Sequence, residues 1–224
     1  MRKQIKQVGL PILRAFMAVY FKRNRYFKYN DMQILIKPTV FSPQFFISTR
    51  ILLKFLESLD LRDKKTLELG CGAGTIAMLM ASKGAEVTAT DINSHAAYNT
   101  KENAKRLGLE VTTIESDLFT NIPQSIFDYI VINPPYYPKK PTSEKEFAWY
   151  CGEDYMFFER LFSEVEDYLS NDSKIFMILS EDCDLDRILE KAKVQGFSTK
   201  TIYQEKQFME WNYIFSFQKQ PTIP

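Results

Sequence analysis

At 224 residues and 26.2 kDa, with 45% hydrophobic and 25% charged residues, the chain can bury one sizeable core, which excludes wholesale disorder and leaves room for one domain with an appendage. No apolar run approaches the roughly eighteen residues of a membrane span, and Cys71, Cys151 and Cys183 form neither a disulfide framework nor a zinc site, so a cytoplasmic setting is expected. One histidine, His95, argues against metal catalysis and Ser-His-Asp hydrolysis, and no metal is expected.

The net charge of +1 hides an asymmetry. Residues 1–30 carry eight Lys/Arg and no acid, leaving 21 basic against 28 acidic residues in 31–224. Such a basic head would dock on an acidic partner, on nucleic acid or on the acidic body itself. In chain order, Gln4–Phe21 reads as a short helix limited by Pro11, and it lacks the features of a signal peptide. Arg25–Tyr29 and Met32–Ile36 flank Asn30-Asp31 as a hairpin, which makes 1–37 a basic extension and 38–224 the main domain. Ile51, Leu52, Phe55, Leu56 and Leu59 predict a helix over Ser48–Leu59.

Strand candidates follow at Thr66–Leu69, Glu86–Thr90, Val111–Ile114, Tyr129–Ile132, Lys174–Leu179, Thr199–Tyr203 and Asn212–Phe217. Helix candidates fall at Thr75–Ser82, Ser94–Leu107, Met156–Leu169 and Leu185–Val194. The alternation predicts an α/β, doubly wound, mostly parallel sheet, and the short link between the last two strands predicts an antiparallel hairpin.

Leu67 to Thr75 reads L-E-L-G-C-G-A-G-T where a strand should pass into a helix. Glycines at 70, 72 and 74 permit positive φ and close approach of a ligand, and the following helix offers free N–H groups. The spacing departs from the dinucleotide fingerprint, since position 75 is threonine, and no lysine completes a triphosphate loop. Glu68 is placed to accept hydrogen bonds or oppose a cation, while Cys71 reads as a small residue tolerated in the loop. Asp91 ends the second strand of the sheet, where it would accept from both ribose hydroxyls; Asp117 follows the third and would accept from an adenine amino group. A plain structural turn and helix N-caps are the alternatives.

Asn133-Pro134-Pro135-Tyr136 closes the fourth strand with a rigid extended turn. The lone pair of an amide or aromatic amine is delocalised. If the Asn133 side-chain oxygen and the Pro134 carbonyl accept the two N–H hydrogens, that lone pair can turn toward an electrophile, with Tyr136 stacked on the planar group. An ordinary strand-ending turn is the alternative. His95 reads as solvent-facing or capping, and Trp149 and Tyr150 either line the substrate mouth or belong to the core.

With these motifs in hand, the chain resembles class I S-adenosylmethionine-dependent methyltransferases, and within them the small-methyltransferase group that includes the HemK-type glutamine N5-methyltransferases. Val40-Phe41-Ser42-Pro43 and Gly152-Glu153-Asp154 add to the likeness, which runs from about Asp31 to Phe217. The resemblance implies a Rossmann-like, seven-stranded sheet with one antiparallel strand. It implies that Glu68, Gly70, Cys71, Gly72, Gly74, Asp91, Ile92, Asp117, Leu118 and Thr49 bind S-adenosylmethionine, and that Asn133, Pro134, Pro135 and Tyr136 hold the accepting nitrogen as S-adenosylhomocysteine is released. Two departures stand out: Gln44–Thr49 lacks the family's acids, and 1–37 is too short for the substrate-gripping helical domain of release-factor enzymes. The acceptor expected is macromolecular, a protein amide ahead of an RNA or DNA base, with a small amine or a non-catalytic binding module as further alternatives. The sequence sets no oligomeric state.

Overall fold

The computed structural model describes residues 23–38, 40, 47–143, 146–207 and 209–220. The helix expected over 4–21 and residues 41–43 of the Val40–Pro43 motif lie outside them. The described chain begins with an antiparallel hairpin, β1 (Arg25–Tyr29) and β2 (Met32–Ile36), turning at Asn30 with φ 50°, a conformation Asn tolerates better than most residues. Helix α1 (Ile47–Glu57) follows. The alternating part comprises β3 (Lys65–Leu69), α2 (Thr75–Ser82), β4 (Glu86–Asp91), α3 (Ser94–Leu107), β5 (Val111–Glu115) and β6 (Tyr129–Ile132). It closes with α4 (Met156–Glu164), β7 (Lys174–Ser180), α5 (Leu185–Val194), β8 (Phe197–Gln207) and β9 (Glu210–Lys219).

The sheet has seven strands in the order β5-β4-β3-β6-β7-β9-β8. All neighbours pair parallel except at β9, which runs antiparallel to both β7 and β8. The chain winds outward from β3 to β4 and β5, then returns to β6 on the other side, so the order reverses between β3 and β6. In open α/β sheets ligands bind at that reversal, outside the carboxyl ends of the strands.

Alternation along the strands builds two cores. Val131, Phe176, Ile178 and Ile214 face a cluster with α1, α2, α3 and the hairpin residues Phe27, Ile34 and Ile36. Ile130, Ile132, Ile175, Met177, Leu179 and Phe217 face α4, α5 and the Leu118–Phe127 stretch.

Among the described residues the predicted elements are present, several of them with shifted ends. The expected helix Met156–Leu169 keeps Phe158, Leu161, Phe162 and Val165 buried, but its last turn tightens into a 3-10 turn at Val165–Tyr168. The last hairpin is longer than its apolar stretches, because the outer strand β8 continues through exposed polar residues that carry no apolar signal. Among the described residues no helix is long and apolar enough to cross a membrane.

Two asparagines fasten the hairpin to the sheet domain. Asn103 Oδ1 accepts the Leu35 N–H at 2.9 Å, and its Nδ2 donates to the Leu35 carbonyl at 2.7 Å and the Ala73 carbonyl at 2.9 Å. One turn earlier, Asn99 accepts the Lys37 N–H at 2.8 Å and donates to the Leu35 carbonyl at 2.9 Å. Both side chains are fully buried, and together they satisfy the edge of β2 that β1 does not cover.

Candidate active site

Leu69 of β3 pairs with Thr90 of β4 and with Ile132 of β6. The next residues along these three strands are Gly70, Asp91 and Asn133. With strands about 4.8 Å apart, the sheet register itself brings the glycine loop, the β4 carboxylate and the Asn-Pro-Pro-Tyr turn to one crevice. Asp117 joins the same edge two residues beyond Glu115, the partner of Asp91.

The N–H groups of Gly70 and Cys71 both donate to the Thr90 carbonyl at 2.8 Å, pinning the loop to the end of β4. Gly70, Gly72 and Gly74 all have positive φ. Two of them are needed for different reasons. At Gly74 a Cβ would lie 2.6 Å from Thr100 Cγ2, so glycine lets the loop sit on α3. At Gly70 a Cβ would meet nothing within 4 Å, so the backbone borders open space that a ligand can approach. Thr100 Oγ1 further donates to the Gly72 carbonyl at 3.2 Å.

Two acids sit beneath the loop. Glu68 is 3% exposed and accepts the Ala77 N–H of α2 at 2.7 Å. Burial pushes its carboxyl well above the usual range, against the pull of that N–H, and the neighbouring Asp91 adds to the rise. Asp91 accepts the Gly72 N–H on Oδ2 and the Asn93 N–H on Oδ1, both at 2.9 Å; burial raises its pKa despite these two donors. A carboxylate oxygen has acceptor capacity beyond one bond, so Asp91 can still receive ligand hydroxyls. Ile92, next in sequence, exposes an apolar side chain, and the Thr75 hydroxyl at the start of α2 is buried with no partner among the described residues. Open space at Gly70, two buried acids with spare carboxylate acceptors and a buried hydroxyl with no partner among the described residues together fit a cationic nucleoside ligand such as S-adenosylmethionine.

Asp117 is engaged: both its oxygens accept from Arg160 Nη1 of α4, at 3.1 and 2.9 Å, with the pair partly exposed. Leu118 beside it is buried at φ 48°. Cys71 is buried and its Sγ accepts from Thr100 Oγ1 at 3.3 Å; burial raises the thiol well above its usual pKa, so it is no nucleophile at neutral pH.

Asn133 is half-buried, Pro134 buried, and Pro135 and Tyr136 half-buried. Asn133 Nδ2 donates to Thr49 Oγ1 of α1 at 3.2 Å, which commits the amide nitrogen and leaves the carbonyl oxygen as the uncommitted acceptor. The Tyr136 ring lies 4.8 Å from that of Tyr137 at 51°, and burial pushes its hydroxyl pKa up. Beyond the turn, Tyr137 forms an isolated parallel bridge with Tyr150: its N–H donates to the Trp149 carbonyl, and its carbonyl accepts from the Cys151 N–H. Gly152, Asp154 and Tyr155 then all take positive φ, at 83°, 54° and 59°, with Asp154 paired to Arg187. Left-handed backbone at two non-glycine residues is strain of the kind that collects at functional sites.

Trp149 and Tyr150 are half-exposed and lie outside both core clusters, with Lys139 Nζ 4.7 Å from the Tyr150 ring centroid. His95 is exposed, and its N–H is capped by Asn93. Among the described residues no three His, Cys, Asp or Glu side chains converge as a metal site. The sequence reading missed Thr100, Asn103 and Arg160. The i, i+3, i+4 spacing of Asn99, Thr100 and Asn103 with Ala96 and Ala104 would have marked polar groups on a buried helix face.

The family model described as the methyltransferase small domain matches residues 31–209. A protein of Methanocaldococcus jannaschii, named as a candidate protein N5-glutamine methyltransferase, is 33% identical over 175 residues, covering 75% of this chain and 86% of its own. The release factor glutamine methyltransferase of Streptococcus pneumoniae is 33% identical over 123 residues, of which the chain spans 44% of the relative's length. Among solved structures, the T. thermophilus 16S rRNA N2 G1207 methyltransferase with AdoMet and guanosine superposes with TM-score 0.66 at 19% identity, over 88% of this chain and 50% of that one. That last likeness concerns the fold.

Proposed function

The chain belongs to the methyltransferase small-domain family and is an S-adenosylmethionine-dependent methyltransferase, and from that premise we propose that its acceptor is the planar nitrogen of a protein glutamine side chain. The observation that carries the nitrogen reading is the Asn133 amide, anchored through Nδ2 with its oxygen uncommitted at the crevice. Glutamine is favoured by the relative whose length this chain nearly spans.

When bound, S-adenosylmethionine would supply a sulfonium methyl, whose carbon is taken by the acceptor nitrogen as its bond to sulfur breaks and S-adenosylhomocysteine leaves. The chain's own residues hold and orient. Glu68 and Asp91 offset the ligand's positive charge, Asp91 accepts the ribose hydroxyls, and Gly70, Cys71, Gly72 and Gly74 let the backbone approach. Ile92 and Leu118 flank the adenine, and Asp117 accepts from its amino group on the oxygen face that Arg160 leaves open. At the acceptor, Asn133 Oδ1 and the Pro134 carbonyl receive the two N–H hydrogens, Pro135 keeps the turn extended and Tyr136 covers the amide plane. Held this way the lone pair leaves conjugation before the N–C bond forms, and the proton departs to water afterwards, so no strong base is needed.

A second reading has its own support. Lys101 and Lys105 are exposed on α3, Arg106 stacks over the exposed Tyr26 at 5.3 Å, and Lys37 lies 4.5 Å from the Tyr98 ring centroid. Basic residues of this kind suit a phosphate backbone, the basic composition of residues 1–30 points the same way, and an adenine, guanine or cytosine amine satisfies the same Asn133 chemistry. The deciding experiment incubates the protein with methyl-labelled S-adenosylmethionine and lysate of methylation-deficient cells, then counts protease- and nuclease-sensitive label. Label released by protease supports the glutamine reading, and label released by nuclease replaces it with a nucleic-acid base.

A further inference from the structure

We infer that Thr49 is a positioning residue for Asn133: its hydroxyl takes the Asn133 amide nitrogen and thereby holds the amide oxygen toward the acceptor. The inference rests on the reading of Asn133 as the group that binds the reacting nitrogen.

Three observations meet here. Thr49 is 4% exposed, in the first turn of α1, and its Oγ1 accepts from Asn133 Nδ2 at 3.2 Å. The two residues are 84 positions apart, so the contact is made only when α1 is docked on the sheet. Asn133 itself is only half-buried, so packing alone leaves its amide free to turn about its last side-chain bond.

The chemistry gives this contact consequence. An amide is asymmetric: one end only accepts and the other only donates. Turned the wrong way, Asn133 would set its own N–H groups against the N–H groups of the acceptor, and both sets would lose their partners. The bond from Nδ2 to the buried Thr49 hydroxyl restrains the amide in the orientation seen here, with its oxygen toward the crevice, before any acceptor arrives. The rigid Asn-Pro-Pro turn fixes where the amide sits, and the bond to Thr49 restrains its rotation. This gives the threonine a role directed at the acceptor side, whereas the family resemblance had grouped it with the cofactor residues.

The test compares Thr49→Val, which keeps the shape and loses the lone pairs, with Thr49→Ser, which keeps the hydroxyl. Methyl transfer to the acceptor fraction that the wild-type protein labels is followed at saturating S-adenosylmethionine, and S-adenosylmethionine affinity is measured by calorimetry. Thr49→Val is expected to lower kcat about 10- to 100-fold, the scale for a misoriented reacting geometry. Its cofactor Kd should stay within about twofold, and Thr49→Ser should recover most of the rate. In an Asn133→Ala background, Thr49→Val should cost nothing further, since it acts through that side chain. A second readout needs no acceptor: the Asn133 side-chain NH2 pair, assigned as the cross-peaks missing in Asn133→Ala, should exchange faster and shift in Thr49→Val. Unaltered kcat, an unaltered NH2 pair, or a Thr49→Val loss that persists in full without Asn133 would each overturn the positioning role. If Asn133→Ala alone leaves transfer intact, the failure belongs to the reading of Asn133 instead.

Discussion

Replacing Asn103 by alanine tests whether the hairpin and the glycine loop are held by one buried amide. The substitution deletes three hydrogen bonds from a fully buried position. The Leu35 carbonyl keeps its bond from Asn99, but the Leu35 N–H loses its partner and the Ala73 carbonyl loses this donor. Two stripped buried groups at roughly 1–2 kcal/mol each, with about 1 kcal/mol for the cavity, give an expected loss of about 3–5 kcal/mol. Urea unfolding should report this as a lower midpoint with an unchanged slope. Asn103→Leu separates the causes: it fills the space, so a loss of about 2–4 kcal/mol should remain from the stripped groups. A loss below about 1 kcal/mol in the alanine variant would refute the reasoning, because water or a local shift would then be satisfying these groups equally well.

Asp91→Ala removes the acceptor of the Gly72 and Asn93 N–H groups and of the proposed ribose contacts. It should weaken S-adenosylmethionine binding by about 1.5–3 kcal/mol, read by calorimetry, and an unchanged Kd would remove Asp91 from the site. Glu68 provides a pH test. Its folded pKa is raised, so its contribution to stability is complete below about pH 4 and is lost as pH rises through the folded value. Glu68→Gln retains an oxygen for the Ala77 N–H and removes that titration. The melting temperature of the variant relative to the parent should therefore climb as pH rises above about 4 in ligand-free protein, and a pH-independent difference would contradict the raised pKa of this buried acid.

What could be read from the sequence divides along physical lines. The row of Gly70, Asp91 and Asn133 was legible because each lies where an apolar strand stops, and parallel strands that start level end level. The two-sided core was legible from strands alternating with helices, which implies a sheet covered on both faces. What escaped depends on contacts between distant segments. Asn99 and Asn103 look like surface residues of a helix until β2 is known to lie against them, and Arg160 reads as solvent-facing on α4 until Asp117 is placed opposite. Thr49 was marked by position, but its partner, 84 residues on, was set by the docking of α1. The tightening at Val165–Tyr168 and the left-handed Asp154 and Tyr155 are backbone events with no apolar period to announce them.

The proposed reaction turns on Asn133 presenting the accepting nitrogen to the methyl donor. The most direct measurement is the single-turnover rate of label transfer from methyl-labelled S-adenosylmethionine by the parent protein and by Asn133→Ala, with cofactor Kd determined for both. Loss of one polarising group predicts a rate lower by about two to three orders of magnitude at nearly unchanged Kd. Transfer by Asn133→Ala at the parent rate would make Asn133 a structural turn residue and contradict the account.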